Sequence, residues 1–214
     1  MSLSEAQKAE SLQRVTGGVS RETVTRLLEL ETFFLKWART INLVSPNTLS
    51  NSWHRHILDS AQLWRLRQET AHWLDLGSGS GFPGLILAAL SKDKGLQSTF
   101  VESNAKKSAY LRQAISYLKL DARVRTERVE ELEPEIYARS GTTVTARAFA
   151  PLERTLAWTR GFGSPVSRAL LHKGRGYKDE ISAARGSWHF DLIEHPSLVD
   201  SDSVILDITG VRRL

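Results

Sequence analysis

The stretch "LDLGSGSGFPGLILAAL", residues 74–90, sets four glycines and a proline into eight positions between two apolar runs. Glycine alone reaches positive φ freely and lets a ligand lie against the main chain. The preceding "HWLDL" reads as a short buried strand. "PGLILAALS" reads as a helix with Pro83 at its first position, where a missing N–H costs nothing. Gly79, Gly81 and Gly84 satisfy the G-x-G-x-x-G dinucleotide spacing. Glu102 ends the next strand, "STFVE", where an acid accepts from ribose hydroxyls. The spacing implies a nucleotide-like ligand without saying which. A ligand-free glycine turn is the plainer reading, and the strand context and spaced acid weigh against it.

Outward from this loop, strand and helix patterns alternate. "NAKKSAYLRQAISYLKL" reads as a helix, "ARVRTERV" and "TTVTARAF" as strands, "PLERTLAWTR" as a helix and "SRALLHKG" as a strand, followed by "YKDEISAA". "WHFDLIEH" and "SVILDIT" lie close enough in sequence to form an antiparallel hairpin at one edge. Interleaving of this kind predicts an α/β fold, a parallel sheet covered on both faces with ligands outside the carboxyl ends of its strands. Before it come helices. "SEAQKAESLQRV" stops at Gly17 and Gly18, and a second helix starts from Ser20 as N-cap and ends near "TINLVSPN". In "SWHRHILDSAQLW" the positions Trp53, His56, Ile57, Ser60, Leu63 and Trp64 trace one helical stripe, which predicts a buried His56 hydrogen-bonded by Asp59 three residues on. The division is residues 1–70 as a helical extension and 71–214 as a Rossmann-like core, compact together.

The 214 residues contain no Cys, which excludes disulfides, thiolate metal sites and a Cys nucleophile. His54 and His56 miss the i, i+4 spacing of a helical zinc pair, so no metal is expected. The polar start lacks a signal-peptide core and no window approaches a membrane span, giving the expectation of a soluble, cytoplasmic protein. The net charge of +5 is concentrated. Residues 36–67 carry Lys36, Arg39, Arg55, Arg65 and Arg67 against Asp59, and residues 104–128 carry seven Lys or Arg against Asp121 and Glu127, followed by an acidic run from Glu130 to Glu135. Such clusters suit either phosphate neutralisation or a solvated helix face. Arg39, Arg55, Lys106 and Lys107 are the candidate RNA contacts, with Lys106 and Lys107 alternatively bracing Glu102.

Pro83 narrows the choice of ligand. A pyrophosphate is held by free N–H groups at the helix start, and proline removes one. A ligand with a sulfonium in place of phosphates tolerates that loss and suits Asp75 just before the glycines; S-adenosylmethionine is such a ligand.

Further motifs carry a resemblance over most of the chain: "INLVS" (41–45), "RHILDS" (55–60), "LDLGSGSGFPG" (74–84), "VESNAKKSAYLR" (101–112), "RVEEL" (128–132), "ARAFAPL" (146–152) and "HKG" (172–174). This set, in this order, resembles the bacterial ribosomal RNA small-subunit methyltransferase G family, also called glucose-inhibited division protein B. The resemblance implies a class I S-adenosylmethionine-dependent methyltransferase fold, with a seven-stranded sheet and a small helical extension. It also implies methyl transfer to N7 of one guanine in the decoding-region loop of 16S rRNA. Carried over by position, cofactor contacts fall on Gly77, Phe82, Val129, Glu130 and Arg147, beside Asp75, Gly79, Gly81 and Glu102. Ala146 and His172 depart from the family's usual Ser and apolar residue.

Guanine N7 carries a lone pair and no proton, so its methylation needs alignment and no general base. The lack of Cys rules out cysteine-adduct methylation, and "TARAFAPL" stands where an Asn/Asp-Pro-Pro-aromatic quartet would serve an exocyclic amine. Arg147 and Lys173, both at strand ends, are the candidates for orienting the base; Lys173 also reads as a phosphate contact or a loop lysine. Three readings remain: an rRNA guanine-N7 methyltransferase acting on 16S rRNA or the 30S particle, expected as a monomer; a methyltransferase on another substrate; and a non-enzymatic RNA-binding module. The retained acid and glycines weigh against the last, and the basic clusters favour the first.

Overall fold

The computed structural model describes residues 3–68, 70–133, 140–161 and 168–214. The end of the acidic run, Glu135, falls outside them. Seven strands form one sheet: β1 (His72–Leu76), β2 (Gln97–Val101), β3 (Ala122–Arg125), β4 (Thr142–Arg147), β5 (Arg168–Lys173), β6 (Trp188–Pro196) and β7 (Val204–Arg213). Their order is β3-β2-β1-β4-β5-β7-β6. The first five run parallel, while β7 pairs antiparallel with β5 and with β6, forming the expected edge hairpin. The chain leaves β1 toward β2 and β3, then returns to β4 on β1's other side. The crevice therefore opens between the carboxyl ends of β1 and β4, where the strand order reverses.

Among the described residues the regular helices are α1 (Glu5–Thr16), α2 (Arg21–Ala38), α3 (Gly84–Ser91), α4 (Ala105–Leu118), α5 (Leu152–Gly161) and α6 (Tyr177–Arg185). Their caps explain their starts. Ser4, Ser20 and Asn104 each accept from backbone N–H groups of the first turn, and Gly17 ends α1 in the left-handed conformation. Pro83 is the cap of α3 rather than its first helical residue, one position earlier than the sequence predicts. The third helix is not uniform: residues 46–66 run as a 3₁₀ turn (Pro46–Asn51), a π turn (Trp53–Leu58), a short α turn (Asp59–Ala61) and a second 3₁₀ turn (Gln62–Leu66). Its apolar stripe is nonetheless buried, with Trp53, Ile57 and Trp64 at most 4% exposed.

Every residue of β1 is buried, as a central parallel strand covered on both faces requires. On one face, Leu12, Leu27, Leu30 and Phe34 of α1 and α2 share a cluster with Phe82, Leu85, Tyr110 and Leu111. On the other, Leu74, Leu76 and Val144 pack with Leu152 and Leu156 of α5, Ala184 of α6 and Phe190. The residues before β1 thus share their core with the helices that flank the glycine loop.

Candidate active site

A cavity of about 1340 Å³ opens at the carboxyl ends of β1, β2, β4 and β5, walled on its far side by the loop after α2 and by the 46–66 segment. The glycine loop forms its floor. Gly77 (φ +62°) and Gly81 (φ +86°) are both left-handed. A Cβ on Gly77 would stand 2.1 Å from the Phe149 ring, so that ring packs directly on naked backbone. A Cβ on Gly81 would instead meet Leu85 at 2.3 Å and Leu111 at 3.1 Å. Gly77 and Gly79 line the cavity; Gly81, also an expected ligand contact, turns its Cβ direction toward the helical core, where the loop packs on α3 and α4. Glu102 fastens the loop to β2, with Oε2 accepting from Gly79 N at 2.8 Å and Oε1 from Asn104 N at 2.7 Å, and it borders the cavity.

Asp75, an expected ligand contact, lies beneath the loop and is not among the residues that line the cavity. It is 1% exposed; Oδ1 accepts from Thr145 Oγ1 at 2.8 Å, and Oδ2 lies with no hydrogen-bond partner where a Cβ on Gly84 would stand 2.7 Å away. Burial raises its pKa to about 6, against the opposing pull of the Thr145 bond. Below about pH 4 the group is protonated in both folded and unfolded chains. As pH climbs, the unfolded carboxyl ionises first, so stability falls by roughly 3 kcal/mol between about pH 4 and 6 and is level above. Asp75→Asn lacks that titration. Its stability relative to the unmodified protein is expected to rise across this window in urea unfolding; a difference constant from about pH 4 to 8 would refute it.

Arg147, at the end of β4, is held by the 46–66 segment. Nη1 donates to Asp59 Oδ2 at 3.1 Å and to the Arg55 carbonyl at 3.0 Å; Nη2 donates to His56 Nδ1 at 3.0 Å. A guanidinium only donates, so His56 is neutral with its proton on Nε2, which donates to Thr48 Oγ1 at 3.2 Å. Burial, then the guanidinium, pushes the His56 pKa down to about 4. The imidazole stacks on Phe82 (5.1 Å, 9°), and Arg147 lies over the same ring at 5.5 Å. The expected Asp59–His56 bond is absent: Arg147 engages both groups, and a guanidinium–carboxylate pair, charged on both sides, outcompetes a bond from a neutral imidazole. His172 Nε2 donates to the Asp59 carbonyl at 2.9 Å, and burial lowers its pKa. The departure at His172 therefore braces Asp59 from below.

The family model for rRNA small subunit methyltransferase G matches residues 24–206. The chain belongs to that family. Proteins named Ribosomal RNA small subunit methyltransferase G from Brucella anthropi and Brucella suis biovar 1 are each 45% identical to it over 205 residues, 95% of this chain and 95% of theirs. Two solved structures share its fold at low identity. The SAH-bound Podospora anserina methyltransferase has a TM-score of 0.61 at 12% identity, covering 94% of this chain and 92% of that one. The TehB-like SAM-dependent methyltransferase from Corynebacterium glutamicum has a TM-score of 0.55 at 16% identity, covering 86% and 98%.

The methyltransferase places its other candidate residues as follows. Val129 and Glu130, in the turn after β3, border the cavity, and Glu130 pairs with Arg154 at 2.9 Å. Lys173 also borders it, but Nζ donates to the Ala150 carbonyl at 2.9 Å and to Glu180 Oε2 at 2.6 Å; the same oxygen accepts from Leu152 N at 2.7 Å. Lys173 thus pins the turn between β4 and α5, with two of its three N–H donors spent there. Arg55 and Lys107 border the cavity, whereas Arg39 and Lys106 are exposed outside it. Sequence reading missed one wall: Arg154 lies over Trp158 at 5.1 Å and Trp158 meets Phe149 at 5.0 Å, all three lining the cavity. The i, i+4 spacing of Arg154 and Trp158 was the available signal. Among the described residues, no group of three or more His, Asp or Glu could hold a metal ion, and no helix is long and apolar enough to cross a membrane.

Proposed function

We propose that this methyltransferase moves a methyl group from S-adenosylmethionine to N7 of a specific guanine in the decoding-region loop of 16S rRNA, acting as a cytoplasmic monomer on the rRNA or the 30S particle. The observation that carries the reading is that the Gly77–Gly79 backbone, Glu102 and Arg147 open on one cavity in a member of an rRNA methyltransferase family. Gly77, Gly79, Phe82, Glu102, Val129 and Glu130 are the residues that would hold the cofactor: bare backbone, two apolar side chains and two carboxylates suit a ligand with a ribose and a positive sulfonium. When bound, that cofactor supplies an activated methyl group. Residues 1–70 act as a helical extension that adds the outer wall.

The titratable groups beside the loop fit a reaction that needs no general base. His56 accepts from Arg147, Asp59 is spent on Arg147, Glu102 receives two backbone N–H groups, and Glu180 is spent on Lys173. What remains for the chain's own side chains is positioning: Arg147, fixed from three sides, faces the cavity, and Lys173 holds the turn that carries Phe149. The test is methyl transfer with labelled S-adenosylmethionine on naked 16S rRNA, 30S particles and assembly intermediates, followed by mapping of the modified atom. Label on N7 of a single guanine is expected; no rRNA labelling, or label elsewhere, would sink the reading.

Glu102→Gln keeps the shape of the side chain and removes its charge. Cofactor binding is expected to weaken by about 1.5–3 kcal/mol, the range for a hydrogen bond to a charged group. Calorimetry giving an unchanged Kd for a folded variant would assign the ribose to another residue.

A further inference from the structure

Where α2 packs along α4, four aromatic rings gather in one strip. Phe33 stacks on Tyr117 (centroids 5.0 Å, planes 21° apart), lies 6.0 Å from Tyr110 and 6.1 Å from Trp37, and Trp37 meets Tyr110 edge-on at 5.8 Å. The i, i+4 spacing of Phe33 and Trp37 and the i, i+7 spacing of Tyr110 and Tyr117 put each pair on one helical face. Tyr110 is fully buried and forms the floor, Phe33 and Trp37 are half-buried, and Tyr117 is 58% exposed.

The pairing of rings fixes the strip's direction. Trp37, near the end of α2, meets Tyr110, in the first half of α4, so the helices run antiparallel. Both cavity-side ends coincide: Lys107, in the first turn of α4, lines the cavity, and α2 leads into the loop whose Leu43 and Val44 line it. From Lys107 to Tyr117 the helix spans about 15 Å at 1.5 Å per residue. The strip therefore starts at the cavity rim and leads outward.

Charge on this surface is mostly positive. Lys36, Arg39 and Lys106 are exposed and Lys107 is half-buried; none of the four belongs to an ion pair among the described residues. At the far end from the cavity, the exposed acid Glu29 lies one turn before Phe33 and the exposed cation Lys119 two residues after Tyr117. Cations at both ends with aromatic faces between them match a nucleic-acid strand whose phosphates meet the cations and whose base reaches the rings.

We propose that the Phe33–Tyr117 strip is a stacking site for an unpaired base of the substrate RNA, in the same strand as the target guanine and outside the cavity. The proposal rests on the rRNA reading above, and its test separates the two. Anisotropy titrations with fluorescein-labelled oligoadenylate and oligouridylate measure the strip, while methylation of 16S rRNA by the unmodified enzyme measures the reading. Tyr117→Ala is expected to weaken oligoadenylate binding about tenfold, within the range for one stacked base, with a smaller loss for oligouridylate. The salt slope should stay unchanged, since no phosphate contact is removed. Tyr117→Phe should restore binding. With rRNA as substrate, Tyr117→Ala should raise KM about tenfold at unchanged kcat, a split that general loosening of α4 would not produce. Unmodified enzyme that binds oligoadenylate but leaves rRNA unlabelled overturns the rRNA reading, and with it the assignment of the strip to substrate. Tyr117→Ala with wild-type affinity for both oligonucleotides and wild-type KM overturns the strip itself and leaves the surface to a protein partner. A loss accompanied by a shallower salt slope also overturns it, by assigning the effect to charge.

Discussion

Gly81→Val is expected to lower unfolding stability by about 3 kcal/mol or more. The left-handed φ of +86° costs an L-residue roughly 1–2 kcal/mol, and a β-branched one more. Its Cβ would also stand 2.3 Å from Leu85 in a filled core, where overpacking costs about 1–3 kcal/mol. Gly79→Ala tests the distinction: its φ of +54° is strained too, but its nearest non-neighbour atom is the Gly77 carbonyl at 3.6 Å, so about 1–2 kcal/mol is expected. Urea unfolding of the two variants should separate them clearly. Equal midpoints, with cofactor binding alone lost in Gly81→Val, would place Gly81 back against the ligand.

Arg147→Ala should be the most damaging change to activity, lowering kcat/KM for rRNA about 100-fold, the scale for loss of one fixed polar group beside reacting atoms. Stability should fall by about 3 kcal/mol as well, because Asp59, its side chain 15% exposed, is left without its cation. Arg147→Lys is not expected to rescue either effect. One ammonium cannot reproduce the two-nitrogen fork that reaches Asp59, the Arg55 carbonyl and His56 together. A stable, active Arg147→Lys enzyme would show that the fork geometry is dispensable.

Features written locally in the chain were legible from it. The strand, glycine loop and helix around residues 74–90, the cap Ser20 and the β6–β7 hairpin all follow from spacing and from single residues whose backbone chemistry is distinctive. The 46–66 segment shows the boundary of that legibility. Its apolar stripe averages to helical spacing, so Trp53, Ile57 and Trp64 are buried as expected, while the alternation of wide and tight turns leaves no mark on the pattern. Asp59 shows the second limit: a neighbour rule pairs it with His56, and a charged donor from a distant strand displaces that pairing. Asp75 and Gly81 read as ligand contacts because they sit in a ligand-like motif; which side of the loop each faces depends on Thr145, Leu85 and Leu111.

The same long-range contacts bear on how the chain is made. Asp59 waits 88 residues for Arg147 and 113 for His172. During synthesis the glycine loop and Glu102 emerge well before β4 and β5, so a growing chain acquires one wall of the cavity without the clamp that completes the opposite one. Closing loops of that length costs chain entropy before the contacts repay it. A chain that stops before residue 172 therefore carries the loop but lacks the side chain that braces Asp59.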